Sequence, residues 1–390
     1  RIWGSDRPAL DPSVSKVDQH NTSVLFGDRF VFKMFRRIEH GIHPELENGL
    51  ALAAAKEKLP IAPVAGWIEY RSPRGESAIA GILHGFVEHE TDGWQFTLEN
   101  LSLFFERALS LEGDHAKPPQ ALRSLTSLVG NVLPETAEIL AGSYWHMARL
   151  LGARVAEFHL AMASAAGAAF EPEPFTDLYC HSLYHGLLAG ISRGFEALRA
   201  RGANVPADAA ADCELLLARQ PEAEAWLQQL RNRRFSAKRI RIHGSLELGQ
   251  ALYTGKDFVL IDLEGEPDRP IGERRIKRSP LRDVAGMIES FYYASQSVWF
   301  GKIPGIIPVE GNTPALRQWA EVWFSWAAGE FLNGYLETPG IGDLVPVDPE
   351  ELSILLNAYL LERAMREITS ELVDRPEWIR VPVRAALGLL

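Results

Sequence analysis

A chain of 390 residues, 46% hydrophobic and 23% charged, has the composition of an ordinary globular protein with core enough for two or three domains. Its formal net charge of -11 and pI near 5.6 argue against nucleic acid and anionic membranes as partners, because both carry negative charge. The two cysteines, Cys180 and Cys213, lack the paired spacing of a zinc site and indicate a reducing compartment. Small molecules or other proteins are the expected partners.

The segment Arg1–Asp6 lacks the basic start and apolar centre of a signal peptide, and no apolar run in the sequence is long enough to span a bilayer. We therefore predict a cytoplasmic protein. The start at Arg1 instead of Met predicts a processed chain, a trimmed chain or one part of a longer polypeptide, and the residues do not choose among these.

The first 90 residues are predicted to form a small sheet that carries one helix. Short runs of β-branched and aromatic residues alternate with turn residues, and the pair Gly27-Asp28 between two such runs signals a hairpin. A helix is predicted over 44–58. The predicted strands cover 23–26, 29–35, 61–70 and 78–87.

Beyond residue 95, apolar residues recur at the three- and four-residue spacings of amphipathic helices. Predicted helices cover 140–160, 176–201, 208–233, 281–299, 314–337 and 350–373. The exceptions are two strands that frame a hairpin at 240–267. The pattern predicts an α+β fold with a small β-rich N-terminal lobe (1–90) and a large, mainly helical C-terminal lobe (91–390) that carries this hairpin.

The predicted hairpin has the layout of a phosphotransferase catalytic segment. An apolar strand, Ile240–Ile242, leads into His243-Gly244-Ser245, and a second apolar strand ends at Asp262. In ATP-dependent phosphotransfer an Asp accepts the proton of the substrate hydroxyl, while an amide and a second Asp hold Mg²⁺. Gln250 and Asp262 are the predicted metal ligands, and the base position holds Ser245. Glu264 is predicted either to add a metal contact, to hydrogen-bond a sugar hydroxyl, or to be exposed.

Lys33 lies in an apolar strand and points either to solvent or to a bound anion. Glu45 and Glu47 on the next helix could hold it by an ion pair while it contacts the α- and β-phosphates of ATP, and of the two we prefer Glu47. The alternative is that Glu47 is a solvated helix carboxylate.

Two further segments have both an ordinary and a functional interpretation. The polar residues Asn21-Thr22-Ser23 precede the first clear strand, where free backbone amides could cradle phosphates, or they form an ordinary loop. The basic run Glu273–Arg278 is interpreted as a solvated loop in preference to a site for substrate or partner.

The motifs together resemble bacterial maltokinase, including the form fused behind trehalose synthase. The residues that carry the resemblance are Asn21-Thr22-Ser23, Phe32-Lys33, 151–160, 174–176, Arg241 through Gln250, 261–267, 273–286 and 375–378. The resemblance implies a two-lobed, protein-kinase-like fold related to aminoglycoside phosphotransferases, with ATP and Mg²⁺ as cofactors and maltose or a related glucan as ligand. It also implies an N-terminal cap subdomain, little of which fits before Asn21, so we expect a chain cut within a fusion or a reduced cap.

The sequence departs from the family pattern His-Gly-Asp-x-His-x-Gly-Gln at two positions. Ser245 replaces the Asp, and Glu247 replaces the second His. A serine hydroxyl cannot accept a proton at neutral pH as a carboxylate does, so a general-base contribution of roughly 10²- to 10⁴-fold is lost. Glu247 places an anion where a donor to the γ-phosphate is expected.

Two main hypotheses follow. The first is a weak maltokinase that converts maltose and ATP to maltose 1-phosphate and ADP, with Glu247 as a displaced base. The second is a pseudokinase module that binds nucleotide or maltooligosaccharide and supports a trehalose synthase partner. A third class, an aminoglycoside- or choline-type kinase, shares the hairpin but lacks the runs Glu264–Pro267 and Lys277–Pro280.

Overall fold

The computed structural model describes residues 9–15, 21–54, 59–111, 117–119, 125–201, 205–231, 233–303, 305–306 and 313–390. The segment used for the signal-peptide prediction and the end of the predicted helix, 55–58, lie outside this range. The chain divides into two compact units. The first comprises Arg1–Phe96, Arg154–Pro172 and Ile240–Arg278, and the second Thr97–Ala153, Glu173–Arg239 and Ser279–Leu390. A lobe boundary at residue 90 stays a prediction.

An antiparallel five-stranded sheet forms the centre of the first unit, in the order β1-β2-β3-β5-β4. The strands are β1 (Pro12–Val14), β2 (Thr22–Phe26), β3 (Phe30–Met34), β4 (Val64–Arg71) and β5 (Ser77–Gly85). Helix α1 (Pro44–Ala53) packs on the sheet through a small core of Phe35, Leu46, Ile79 and Ile82, with Val64 against it. The predicted hairpin at Gly27-Asp28 is confirmed, because β2 and β3 pair across it.

The segment 240–267, which was predicted to be a hairpin, differs from the prediction in one respect. Ile240 makes only an isolated bridge to Arg278, and 241–242 are not strand residues, so no strand of the hairpin precedes His243. The hairpin instead follows the loop, as β9 (Ala251–Tyr253) and β10 (Phe258–Leu260), with β6 (Thr91–Asp92) on the other side of β9. Helix α8 (Ile271–Arg274) comes next in the chain.

Helices build the second unit. Their bounds are α2 (Gly93–Ser110), which begins in the first unit, α3 (Glu135–Ala141), α4 (Tyr144–Ser164), which ends in the first unit, α5 (Asp177–Arg201), α6 (Ala207–Ala218), α7 (Gln220–Arg231), α9 (Leu281–Gln296), α10 (Thr313–Leu336), α11 (Pro349–Asp374) and α12 (Arg380–Leu389). A two-stranded pair, β7 (Glu173–Pro174) and β8 (Lys238–Arg239), completes it. Among the described residues, no helix combines the length and apolar character needed to cross a bilayer.

The aromatic core of the helical unit lies between α2, α4 and α10. Phe104, Trp145, Trp319 and Trp323 are buried there and meet largely edge to face. The helix predicted over 208–233 is two helices, α6 and α7, that meet at Arg219. Periodicity continues through this short break, which explains why the sequence pattern did not reveal it.

Candidate active site

Three carboxylates surround Lys33 in the first unit. The Nζ atom lies 2.7 Å from Asp262 Oδ1, 2.8 Å from Glu264 Oε1 and 3.0 Å from Glu45 Oε2. All three carboxylates lie within ion-pair distance of the one ammonium group, and Asp262 Oδ1 accepts a hydrogen bond from it. Lys33 is buried, whereas the Asp262 side chain is 39% exposed. A ligand anion therefore reaches Lys33 most readily from the side of Asp262.

The cluster is electrostatically coupled. Burial alone would lower the pKa of Lys33, but Glu45, Asp262 and Glu264 outweigh it and hold the pKa well above its ordinary value. Burial would raise the pKa of Glu45, yet Lys33 and the hydrogen bond with His84 hold it below its usual range. Burial raises the pKa of Glu264, and the neighbouring carboxylates Glu45 and Asp262 add to the rise. Negative charge is in excess at this site.

The preference for Glu47 as the partner of Lys33 was wrong. Glu45 takes that place, and the other Glu45 oxygen lies 3.1 Å from His84 Nε2. Glu47 instead accepts hydrogen bonds from two arginines, Arg241 at 2.8 Å and Arg275 at 2.8 Å through both carboxylate oxygens. Residues two apart on a helix point about 200° away from each other, so the two glutamates cannot share a partner. A direct role for Glu47 in nucleotide binding stays a prediction.

The loop at the base position is held by His243. Its Nδ1 accepts a hydrogen bond from the Ser245 amide at 3.4 Å, so Nε2 carries the proton and donates to the Ile261 carbonyl at 2.8 Å. His243 is buried, and Ser245 and Glu247 are half-buried. The loop thus has the support that a catalytic base requires, but it presents a hydroxyl at position 245.

Asp262 and Gln250 have the chemistry of a magnesium site. Asp262 adopts φ 62°, the one positive φ outside glycine among the described residues, and such a conformation in a non-glycine residue commonly marks a functional position. Its neighbour Ile261 donates its amide to the Gln250 carbonyl at 3.0 Å, which brings the two segments together. The side-chain oxygen Gln250 Oε1 is buried without a hydrogen-bond partner in the described structure. A carboxylate and an orphaned amide oxygen are ligands that Mg²⁺ accepts, so these residues fit the ion.

Glu264 is buried and engaged by protein donors. Oε1 accepts hydrogen bonds from Asn21 Nδ2 at 2.8 Å as well as from Lys33, and Oε2 lies 3.5 Å from Arg274 Nη1. Of the alternatives predicted for Glu264, solvent exposure is wrong. With both oxygens engaged, its role as a metal ligand remains only a prediction. Among the described residues, no cluster of three or more His, Cys, Asp or Glu side chains is arranged to hold a metal.

The segment predicted to bind phosphate, Asn21–Ser23, begins a strand. Thr22 and Ser23 belong to β2, and Ser23 pairs directly with Lys33 of β3, so the two side chains share one face of the sheet. Thr22 Oγ1 accepts a hydrogen bond from Arg36 Nε at 3.3 Å. Contact of Asn21, Thr22 and Ser23 with phosphate stays a prediction, although Asn21 already lies at the Lys33 cluster.

The basic run Glu273–Arg278 is part of this network and was wrongly interpreted as a solvated loop. Arg274 is 6% exposed at its side chain and contacts Glu264, Glu39 and two backbone carbonyls. Arg275 holds Glu47. Four cations within six residues of an acidic protein, soon after the predicted metal ligand Asp262, were the available signal.

The comparisons with known proteins bear on this fold and on the Lys33 cluster. No family model matches the chain. The glucosamine kinase of Mycolicibacterium smegmatis is 26% identical over 392 aligned residues, which cover 100% of this chain and 82% of that protein. The glucosamine kinase of Streptacidiphilus jiangxiensis is 26% identical over 153 residues, which cover 39% of this chain and 32% of that protein.

Two solved structures of glucosamine kinase have the same fold. Crystal form B superposes with a TM-score of 0.67 at 20% identity, covering 98% of this chain and 77% of that one. The complex with glucosamine, ADP and inorganic phosphate gives the same TM-score and identity, covering 98% and 76%. The predicted α+β, kinase-like fold class is thereby confirmed. Maltokinase, the finer part of the resemblance, stays a prediction.

Proposed function

We propose that this chain is an ATP-dependent phosphotransferase that acts on a hydroxyl of a small sugar. The observation that carries the proposal is the contact of Lys33 with Asp262, which lies 229 residues away in the sequence, beside a segment that the hydrogen bond from the Ile261 amide to the Gln250 carbonyl ties to Gln250. The glucosamine kinases that share the fold, one of them solved with glucosamine and ADP, support a sugar acceptor and an adenine nucleotide.

The site residues have distinct tasks in this proposal. Lys33 gives up its hydrogen bond to the partly exposed Asp262 carboxylate for one to a phosphate oxygen. Glu45 keeps the ammonium charged and in place. Asp262 and Gln250 would hold Mg²⁺, which when bound neutralises charge on the phosphate oxygens. Because phosphoryl transfer depends chiefly on positioning and charge neutralisation, we expect turnover without a carboxylate at Ser245, at a reduced rate.

Glucosamine is the first acceptor to test, and maltose is the second. The relatives that align with the chain over its full length support an amino sugar. The maltokinase-like motifs, such as Glu264-Gly265-Glu266-Pro267, support maltose. Ser245 favours a second function, a module that binds nucleotide or oligosaccharide without turnover and serves a trehalose synthase partner.

The test is ADP release measured by a coupled assay with Mg-ATP and either glucosamine, maltose or no acceptor. We expect acceptor-dependent ADP release, faster with glucosamine, and none with Asp262→Ala. Release no greater than that of Asp262→Ala with every acceptor would reject the enzyme. If ATP still binds in that case, the binding module takes its place.

A further inference from the structure

The left-handed backbone of Asp262 is held from both sides. The carbonyl before it, of Ile261, accepts the hydrogen bond of His243 at 2.8 Å. The carbonyl after it, of Leu263, accepts one from Asn48 Nδ2 at 3.0 Å. A non-glycine residue with φ 62° is disfavoured by steric repulsion, so it persists only where its surroundings hold it. Asn48 belongs to α1, about 215 residues away in sequence, so this support is a tertiary contact.

The orientation of the Asn48 amide is unambiguous. Arg241 Nη2 lies 3.1 Å from Asn48 Oδ1, and a guanidinium group can only donate, so Oδ1 faces Arg241 and the amide nitrogen faces Leu263. Both side chains are 2% exposed. Arg241 is anchored in turn by the Arg275 carbonyl at 2.9 Å and by Glu47 at 2.8 Å. The Asn48 oxygen can therefore only accept from Arg241, and its nitrogen can only donate to Leu263, the residue next to Asp262.

We propose that Asn48 is a positioning residue that keeps the Asp262 carboxylate in place for the metal, with Arg241 orienting it. Helix α1 then sets both halves of the site, because Glu45 on the same helix holds Lys33. The part of this inference that concerns metal binding by Asp262 rests on the proposed function. The support of the Asp262 backbone by Asn48 does not depend on it.

Asn48→Asp is the informative variant. A carboxylate keeps the acceptor that Arg241 needs, yet it has no N–H for the Leu263 carbonyl and would repel it. The matched control is Asn333→Asp in the helical unit. Asn333 is likewise 2% exposed, accepts a hydrogen bond from the Gly130 amide at 2.9 Å and donates to Glu330 at 3.1 Å. Both variants replace a buried, doubly bonded amide. Because the new carboxylate of Asn333→Asp faces Glu330 whereas that of Asn48→Asp faces Arg241, the control should lose at least as much global stability.

The first readout is amide hydrogen exchange of the ligand-free protein, followed by mass spectrometry. We expect several-fold faster exchange in peptides covering 261–265 for Asn48→Asp and no local change there for Asn333→Asp. Equal exchange in that segment for both variants would overturn the proposal. This measurement needs neither nucleotide nor turnover, so it remains decisive if the proposed function fails.

The second readout is the Mg²⁺ dependence of ADP binding, by calorimetry. For Asn48→Asp we expect the Mg²⁺ concentration for half-maximal enhancement to rise about tenfold, on the scale of one lost buried hydrogen bond, while Mg²⁺-free ADP binding changes little. An unchanged Mg²⁺ dependence would contradict the positioning role. Absence of ADP binding in the unaltered protein would instead reject the proposed function, and the exchange result would stand by itself.

Discussion

Lys33 is the residue on which the site depends most. Replacing it with Met would leave Glu45 and Glu264 buried without their main cation, which typically costs about 3 to 5 kcal/mol. We expect Lys33→Met to lower the free energy of unfolding by that order and to abolish ATP binding, measured by urea denaturation and calorimetry. Lys256→Met, at an exposed residue of the β9–β10 turn, serves as the control and should change neither. A stable Lys33→Met protein that binds ATP normally would contradict this assignment.

His43 should make stability depend on pH. Burial is the main cause that lowers its pKa to about 4, and the cations Lys33 and Arg274 add to the effect. Between pH 6.5 and 4 the unfolded state binds a proton at His43 that the folded state does not. The contribution of His43 to the free energy of unfolding is therefore fully present above this window and is lost as the pH falls through it. The loss amounts to about 3 kcal/mol.

Urea denaturation at several pH values tests this expectation. His43→Gln should flatten the slope between pH 6.5 and 4, whereas His89→Gln, at an exposed histidine, should keep it. The account of His43 fails if its replacement leaves the pH profile unchanged.

The loop that carries His243 and Ser245 allows a gain-of-function prediction. Since His243 already holds the loop, a carboxylate at position 245 would enter a supported site. Ser245→Asp combined with Glu247→His should raise turnover by roughly 10²- to 10⁴-fold, the usual range for a general base. The coupled ADP assay measures it, with Ser245→Ala as the control that should not gain. A double variant that binds ATP but gains no activity would show that the loop lacks the assumed role.

For the helices and strands, sequence periodicity predicted where most of them lie along the chain. It did not predict which face of each one lies toward the site. Glu45 and Glu47 have the same side chain and lie on the same short helix, and only the packing of α1 on the sheet decides which one faces Lys33. The strand expected at 240–242 fails for a similar reason. Its apolar residues are buried by tertiary packing rather than by pairing in a ladder, and an alternating pattern does not separate these cases.

Helix α1 sits so close to β4 that a glycine is required. An ideal Cβ on Gly49 would lie 2.6 Å from Val64 Cγ2. Although Ala in place of Gly usually stabilises a helix, we expect Gly49→Ala to lower the free energy of unfolding by about 1 to 3 kcal/mol through overpacking. Adding Val64→Ala should recover part of the loss in urea denaturation.

A helical glycine in open space provides the comparison. Nothing lies within 4 Å of a Cβ on Gly186 in α5, so Gly186→Ala should raise stability by about 0.5 to 1 kcal/mol. If both glycine variants stabilise the protein equally, α1 does not pack against β4 as closely as the distance from Gly49 to Val64 indicates.

For the protein as a whole, the fold class and the residue types of the site followed from local sequence patterns, whereas the contacts between distant site residues did not. The contacts of Lys33 with Asp262, of Asn21 with Glu264 and of Asn48 with Leu263 each join segments more than 200 residues apart. No periodicity carries that information, because any of several carboxylates could have met Lys33. The acidic balance of the chain, with net charge -11, likewise says nothing of the local network in which Arg274 is buried.

Nucleotide and metal binding at the Lys33 cluster is tested by calorimetric titration of ATP with and without Mg²⁺ into the unaltered protein and into Asp262→Ala. We expect the unaltered protein to bind ATP and Mg²⁺ to strengthen this binding, and we expect the Mg²⁺ effect to be lost in Asp262→Ala. Absence of ATP binding in the unaltered protein, or a Mg²⁺ effect that survives the loss of Asp262, would contradict it.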